Sequence, residues 1–376
     1  MPTTFSHSPT LWTPHILGRN PIGKDIPRMP ETLEGITADW LTRALEIDYP
    51  GTVVTSATPG SSVRATGTKL RLLLDYNDAG HAHRLPPTMW FKSGLEPHSD
   101  HVRSSHEREG LFYSQIAPHG LINAPKGYFA EVDDRGFAGQ LIEDLLARNA
   151  RFGSEARPVG TDAAAQTLTM LARLHAFRWQ SSELDKLGAP GGSLITDGIV
   201  LHLLTADSWE ESMGRPAATE LPAAFDTVET VRRGMQQLWD YDSQSNERCI
   251  VHGDAHPNNM FFEQDGSPGF LDFQRLMQCD WAHDVNYFLV SCMDTDDAAA
   301  NERELLEHYL IALKAHGAPA LERDAAWENY RRHTMYGLVW NVVPTAMQTE
   351  RAVDIISRRF NAAARRHELA GLFDLG

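Results

Sequence analysis

The chain has 376 residues, 42% apolar, 22% charged and 9% aromatic, with 34 basic against 50 acidic side chains and a formal net charge of −16. That length and apolar content predict two units or one large two-lobed domain, and exclude a disordered chain or a small disulfide scaffold. The acidic balance, with no long basic run, speaks against nucleic acid or an anionic membrane surface as partner, because both are bound through clustered Lys and Arg.

No apolar stretch approaches the roughly 20 residues of a spanning helix. The first residues, Met1-Pro-Thr-Thr-Phe-Ser-His, carry no basic-then-apolar leader, so a cytoplasmic protein is expected. Three cysteines, Cys249, Cys279 and Cys292, are odd in number and widely spaced, which suits free thiols filling a core.

Residues 1–30, rich in Pro, Thr, His and Gly, read as an N-terminal arm. A short helix is expected at about 37–46, started by Thr37 and apolar at Trp40, Leu41 and Leu45. Strand-like runs follow at Val53-Val54, Lys69–Tyr76 and Thr88–Lys92, the first two flanking a Gly60–Gly67 turn. A helix over about 103–117 and strands at 128–132 and 139–143 complete a small sheet with one helix. Beyond Asp144 the period becomes helical, with stripes through Leu168–Trp179, Val228–Leu238 and Leu306–Leu313, and a final helical segment over about 325–370 divided or kinked by Pro344.

One stretch interrupts the helices. Residues 249–262 read Cys-Ile-Val-His-Gly-Asp-Ala-His-Pro-Asn-Asn-Met-Phe-Phe, and residues 268–274 read Pro-Gly-Phe-Leu-Asp-Phe-Gln. The Asp265-Gly266 pair between two short apolar runs is a hairpin signal, so 260–262 and 269–271 are expected to pair. That hairpin returns Asp272 to the polar loop and lets Asp254, Asn259 and Asp272 converge. Carboxylate and amide oxygens around an open position suit Mg²⁺ bound to substrate phosphates. Asp254 and Asn259 are five apart, the spacing of a kinase catalytic loop, in which the Asp orients the attacking hydroxyl and the Asn holds a metal.

The string His252-Gly-Asp-x-His-x-x-Asn259 with Asp272-Phe-Gln274 resembles the aminoglycoside phosphotransferase and choline kinase superfamily, and its Phe-Gln ending looks most like the ecdysteroid-kinase-like branch. Other motifs of that resemblance are Glu109-x-x-Phe-Tyr113, Leu141-Ile-Glu-Asp-Leu145, Leu171-Ala-x-Leu-His-Ala176 and Asp280-x-x-x-Asp284. It implies an α+β, two-lobed protein-kinase-like fold: a small antiparallel N-lobe over 31–143 and a mainly helical C-lobe over 144–376 that holds a catalytic hairpin at 250–274. It implies ATP and Mg²⁺ as cofactors, with Asp254 accepting or orienting the hydroxyl proton and Asn259 and Asp272 holding the metal. Lys92 would contact ATP phosphates and pair with Glu109. Leu141, Ile142 and Glu143 would form the hinge that meets adenine. Gly60, Ser61, Ser62, Gly67 and Thr68 would cover the phosphates, although they lack a G-x-G-x-x-G run.

His252 and His256 are expected to hold the loop's hydrogen bonds, and Asp284 to brace it. Trp281, Met335 and Trp340 are read either as core or as walls of an apolar acceptor pocket. The function expected is phosphorylation of a small-molecule hydroxyl, on a neutral or apolar alcohol such as a steroid or terpenoid. The alternatives are a cationic acceptor (an aminoglycoside or choline), a silent kinase-like binding protein, and a phosphoester hydrolase using the alternating His252, Asp254 and His256 on a transition metal.

Overall fold

The computed structural model describes residues 25–64, 67–96, 99, 103–191 and 199–375. Residues 1–24 of the expected arm lie outside them, and the remainder of the arm packs on the sheet, with Met29 buried and its N–H donating to Asp133 Oδ2 at 2.9 Å.

The first part is a five-stranded antiparallel sheet in the order β1-β2-β3-β5-β4, built from β1 (Val54–Arg64), β2 (Thr68–Tyr76), β3 (Thr88–Ser93), β4 (Gly127–Val132) and β5 (Ala138–Glu143). Alternation decides its two faces. On β2, Leu70, Leu72, Leu74 and Tyr76 turn inward, while Lys69 and Arg71 point to the opposite side. The inward face is covered by α1 (Ala38–Glu46), whose Thr37 side chain accepts from Trp40 N–H and whose Trp40 ring meets Phe91 and Phe129 edge-on at 5.4 and 5.7 Å. A short α2 (Asp78–Ala82) fills the β2–β3 connection.

β1 departs from expectation. Gly60, Ser61 and Ser62 do not form a turn; they lie inside an 11-residue edge strand with a bulge between Pro59 and Ser62. An edge strand tolerates exposed Gly and Ser because its neighbour supplies the ladder on one side only.

Across the other face runs α3 (Arg103–Leu111), continuing as a π turn over Phe112–Ile116. Its buried residues include Ser105, His106, Arg108 and Glu109, so no apolar stripe marks it in the sequence; it is held between the sheet and the rest of the chain. Phe112 stacks on Phe273, ring centroids 3.3 Å apart and 7° from parallel, which ties this helix to the Asp272-Phe273 turn.

The larger part is helical: α4 (Thr161–Ala176), α5 (Ile199–Leu203), α6 (Ala206–Met213), α7 (Val228–Gln244), α8 (Ala282–Cys292), α9 (Thr295–Ala315), α10 (Arg323–Arg332), α11 (Thr334–Gly337) and α12 (Glu350–Arg366). Every residue of α8 is buried, so it carries no 3.6-residue stripe for the sequence to reveal. α9 begins at Thr295, eleven residues before the Leu306–Leu313 stripe: Asp294 caps it by accepting from Asp296 N–H, and Asp296 and Asp297 occupy its first turn. Two small ladders are embedded here, β7 (Arg248–Val251) with β10 (Met277–Asp280), and β6 (Arg151–Phe152) with β8 (Met260–Phe262) and β9 (Pro268–Phe270). The three cysteines are free and buried. The architecture is α+β and two-lobed.

Candidate active site

The polar loop 252–259 leaves the end of β7 and enters β8, so both its ends are pinned by strands. Gly253 sits at φ +81, and a Cβ there would run into the Arg275 carbonyl, which restricts the position to glycine. From beneath, Asp284 on α8 accepts from His252 N–H at 2.6 Å and Gly253 N–H at 2.9 Å, and His175 Nε2 lies 3.2 Å from the same carboxylate. His175 Nδ1 meets Tyr309 OH at 2.8 Å, so both its ring nitrogens are engaged. Burial pushes the Asp284 carboxyl up, but His175 and the neighbouring histidines hold it below its ordinary range.

His252 locks the loop to the returning hairpin. Its Nδ1 accepts from Asp254 N–H at 3.2 Å, so the proton sits on Nε2, which donates to the Leu271 carbonyl at 3.1 Å. Burial lowers its pKa, in keeping with this neutral form. Leu271 N–H donates in turn to Asn259 O at 2.9 Å. The turn at Asp265-Gly266, with Gly266 at φ +88, closes the β8–β9 hairpin and delivers Asp272 beside the loop. Asp272 itself takes φ +66, a left-handed conformation that costs a non-glycine residue of order 1–3 kcal/mol and is concentrated at functional sites.

Asp254 keeps part of its carboxylate open, its side chain 31% exposed. Oδ2 accepts from Asn259 Nδ2 at 3.1 Å and Oδ1 from Tyr287 OH at 3.3 Å, and Tyr287 OH accepts from Trp340 Nε1 at 2.8 Å. His256 stands against the same carboxylate, Nε2 3.6 Å from Oδ2, while its Nδ1 accepts from Asn258 N–H. Burial raises the Asp254 pKa, and His256, Arg275 and His252 more than offset this, so the group is a carboxylate at neutral pH. Asn259 uses its amide nitrogen on Asp254; among the described residues no hydrogen bond reaches its carbonyl Oδ1, an oxygen that could hold a cation.

Opposite lies a cluster of charge. Lys92 on β3, nearly fully buried, is 2.6 Å from Glu109 Oε2 and 2.9 Å from Asp272 Oδ1. Lys69, its cross-strand partner on β2, is 2.9 Å from Asp272 Oδ2. Burial pushes the Asp272 carboxyl up, yet Lys69 and Lys92 together drive it far below the ordinary range. Glu109, completely buried, is raised by burial, with Lys92 opposing.

Leu141 turns into the sheet core and Ile142 packs against the helical core. Glu143 accepts from Lys126 N–H and Arg148 Nη1, and Asp144 just beyond it accepts from Arg71 Nε at 2.7 Å and Trp90 Nε1 at 3.2 Å. The turn expected over Gly60–Gly67 is shorter, because β1 runs to Arg64 and β2 starts at Thr68. Gly60, Ser61 and Ser62 lie in β1; Gly67 is packed so closely under His106 that a Cβ would clash; Thr68 is buried with its hydroxyl donating to Glu96. The tip at 65–66 lies outside the described residues.

Of the two readings of Trp281, Met335 and Trp340, as core or as pocket walls, their burial favours core. Trp281 is wholly buried, stacked on Tyr309 and donating to Glu247, and Met335 is wholly buried against Gly234, because both sit where helices cross. Trp340, also buried, meets the site through its Nε1 bond to Tyr287 OH and edge-on against the His256 ring, centroids 5.4 Å apart.

Lys69, Tyr287, Arg71 with Asp144, and the Asn258 Nδ2 to Gln348 Oε1 contact at 3.2 Å were not among the sequence candidates. For Lys69 a signal existed: if β2 and β3 form a hairpin, alternation puts it on Lys92's side. Among the described residues no three His, Cys, Asp or Glu side chains converge as metal ligands, so the transition-metal arrangement of His252, Asp254 and His256 is absent there. The donor set does fit Mg²⁺: a carboxylate and an amide oxygen, both hard, beside an open carboxylate.

The solved structures similar to this chain include an ethanolamine kinase of Plasmodium vivax (11% identity, 91% of each chain covered, TM-score 0.48). A spectinomycin phosphotransferase, solved with ADP and spectinomycin, matches at 11% identity over 89% of this chain and 99% of its own, TM-score 0.47. A choline kinase of Streptococcus pneumoniae matches at 12% identity over 81% of this chain and 93% of its own, TM-score 0.43. No curated protein matches the sequence. Nothing in these comparisons singles out the ecdysteroid-kinase-like branch. The sequence profile of the phosphotransferase enzyme family (APH) matches residues 63–327, which span β2 to β5, the Lys92–Glu109 pair, the loop and Asp272. The chain belongs to the phosphotransferase enzyme family.

Proposed function

We propose that this protein transfers the terminal phosphoryl group of Mg²⁺-bound ATP to a hydroxyl of a small molecule. The observation that carries the reading is the pairing of an open, ionised Asp254 with an Asp272 held by two lysines and returned by the hairpin to the same loop. Such transfer asks a protein mainly for positioning and charge neutralisation. Bound at Asp272 and Asn259, Mg²⁺ would supply positive charge to the phosphate oxygens. Lys92, fixed by Glu109, presents its ammonium on the nucleotide side. Asp254 orients the acceptor hydroxyl and takes its proton as the new O–P bond forms; Asn259, Tyr287 and His256 hold that carboxylate in place. Joint retention of Asp254, Asn259, Asp272 and Lys92 speaks against a silent binding protein.

For the acceptor we favour a neutral molecule bearing several hydroxyls over a steroid-like one. A pocket of about 390 Å³ lies between residues 215–218, 341–345 and the first half of α12, within the usual ligand range. Its lining holds two arginines (Arg215, Arg351) and two carboxylates (Glu350, Asp354), with Ser357 Oγ and Asp354 Oδ1 buried and without a hydrogen-bond partner. Buried polar atoms of this kind call for a ligand that donates and accepts hydrogen bonds. The 340–348 segment also touches the loop, through the Trp340 ring against His256 and Gln348 to Asn258. The test is incubation with Mg·ATP and a panel of polyols, amino sugars, choline and sterols, read by mass spectrometry for the gain of one phosphoryl group. Gain on polyols supports the full reading; gain confined to choline or amino sugars overturns the neutral acceptor; phosphoester hydrolysis without ATP overturns the transferase.

A further inference from the structure

The two lysines on Asp272 differ in how firmly they are held. Lys92 is almost completely buried and shared between two carboxylates, Glu109 and Asp272, so it has no reason to leave. Lys69 has a side chain 31% exposed, and among the described residues its one ion-pair partner is Asp272, through Oδ2 at 2.9 Å. The register sets this geometry: Lys69 and Lys92 are directly opposite on adjacent antiparallel strands, so their stems leave the same face side by side and each ammonium reaches one oxygen of a single carboxylate. Each oxygen of Asp272 therefore meets one ammonium. A divalent ion and an ammonium compete for the same lone pairs, and Asp272 cannot serve both fully.

We propose that Lys69 is a stand-in cation. It occupies the metal-binding oxygen of Asp272 in the nucleotide-free protein and moves to the nucleotide's phosphates when metal and nucleotide enter together. The inference rests on the reading above that Asp272 binds the metal. Its physical sense is charge balance. Without Lys69 the site would hold Asp254, Asp272 and Glu109 against Lys92 and Arg275, an excess of negative charge that attracts free divalent ions. With Lys69 in place, metal alone gains little, because it must displace a bound ammonium. Nucleotide brings the anions that receive the displaced ammonium, so metal and nucleotide each strengthen the other's binding by the same factor. Lys69 thus favours the metal–nucleotide pair over either component.

The experiment uses Mn²⁺ as probe on the whole, nucleotide-free protein, with free metal followed by electron paramagnetic resonance, and measures ADP affinity with and without Mg²⁺. Lys69→Met keeps the stem that covers the sheet and removes the charge; Lys69→Gln repeats the measurement in a polar variant, and circular dichroism checks that both fold. Losing one charged partner corresponds to about a tenfold change in affinity. Expected in both variants are Mn²⁺ binding tightened about tenfold in the absence of nucleotide, metal-free ADP binding weakened about tenfold, and a smaller gain in ADP affinity on adding Mg²⁺. Unchanged or weakened Mn²⁺ binding in both variants overturns the inference. Asp272→Asn separates it from the functional reading. If that variant loses Mn²⁺ binding in the presence of ADP while the Lys69 variants bind Mn²⁺ as wild type does, only the Lys69 inference falls. If Asp272→Asn binds metal as well as wild type, the metal assignment falls and takes the inference with it.

Discussion

Asp284→Asn is the most informative perturbation of the loop, because it changes charge and one acceptor while keeping shape. In the native structure the carboxylate receives two backbone N–H groups, from His252 at 2.6 Å and Gly253 at 2.9 Å, in a fully buried setting. Hydrogen bonds to a charged acceptor contribute about 1.5–3 kcal/mol each, and an abandoned buried N–H costs about 1–3 kcal/mol. The asparagine amide keeps one acceptor oxygen and turns an NH₂ toward the other N–H, so the loss is about 2–4 kcal/mol. Asp254 is one residue beyond Gly253, so the loop relaxes where the hydroxyl must be aligned, and a displacement of about 1 Å there lowers turnover about 100-fold. Urea unfolding followed by circular dichroism gives the stability; ADP affinity and phosphoryl transfer give the function. The expected pattern is a large fall in stability and turnover with ADP affinity changed only a few-fold, since Lys92, Glu109 and Asp272 are untouched. Stability within about 0.5 kcal/mol of wild type together with unchanged turnover would refute the brace.

Three further outcomes are expected. Gly253→Ala, placed at φ +81 against the Arg275 carbonyl, loses at least about 1–2 kcal/mol of stability and most of its turnover, whereas Gly266→Ala in the open hairpin turn keeps turnover. His333 is pushed down by burial but raised to about 9 by Asp242 at 3.1 Å, so its folded pKa exceeds the unfolded 6.5; its contribution, about 3 kcal/mol, is complete below pH 6.5 and is lost as pH rises through 9. Thermal melts from pH 6 to 10 should show that alkaline decline, and His333→Gln should flatten it. Ser357→Ala or Asp354→Asn raises the acceptor's KM about fivefold, one hydrogen bond's worth, and leaves the KM for ATP unchanged; steady-state kinetics with both substrates varied checks this, and an unchanged acceptor KM removes the pocket from the acceptor site.

The residues around the loop were legible because their chemistry is local. Loop, turn and hairpin follow one another within 23 positions, and Asp265-Gly266 alone fixes how the chain returns. Lys69 was harder to see because its role depends on the register between two strands separated by an 11-residue connection containing α2, so it could be found only by assuming that β2 and β3 pair. α8 was hidden for the opposite reason: buried on every side, it shows no stripe, and its Asp284 and Asn286 look misplaced until their partners, the loop N–H groups and Thr334 with the Tyr330 carbonyl, are seen. Gly60, Ser61 and Ser62 read as a turn because small polar residues favour turns, but the ladder to β2 overrides that preference. Trp281 and Met335 read as pocket walls only while the helix crossings that bury them were unknown.

In the proposed reaction Asp254 acts on the acceptor hydroxyl while Lys92, Asn259 and Asp272 carry the nucleotide and its metal. Its most direct test is single-turnover phosphoryl transfer by Asp254→Asn with ATP and Mg²⁺, alongside ADP affinity in the same preparation. The account predicts transfer slowed by about 10²–10⁴-fold with ADP affinity within about threefold of wild type. Transfer at the wild-type rate in Asp254→Asn would contradict it.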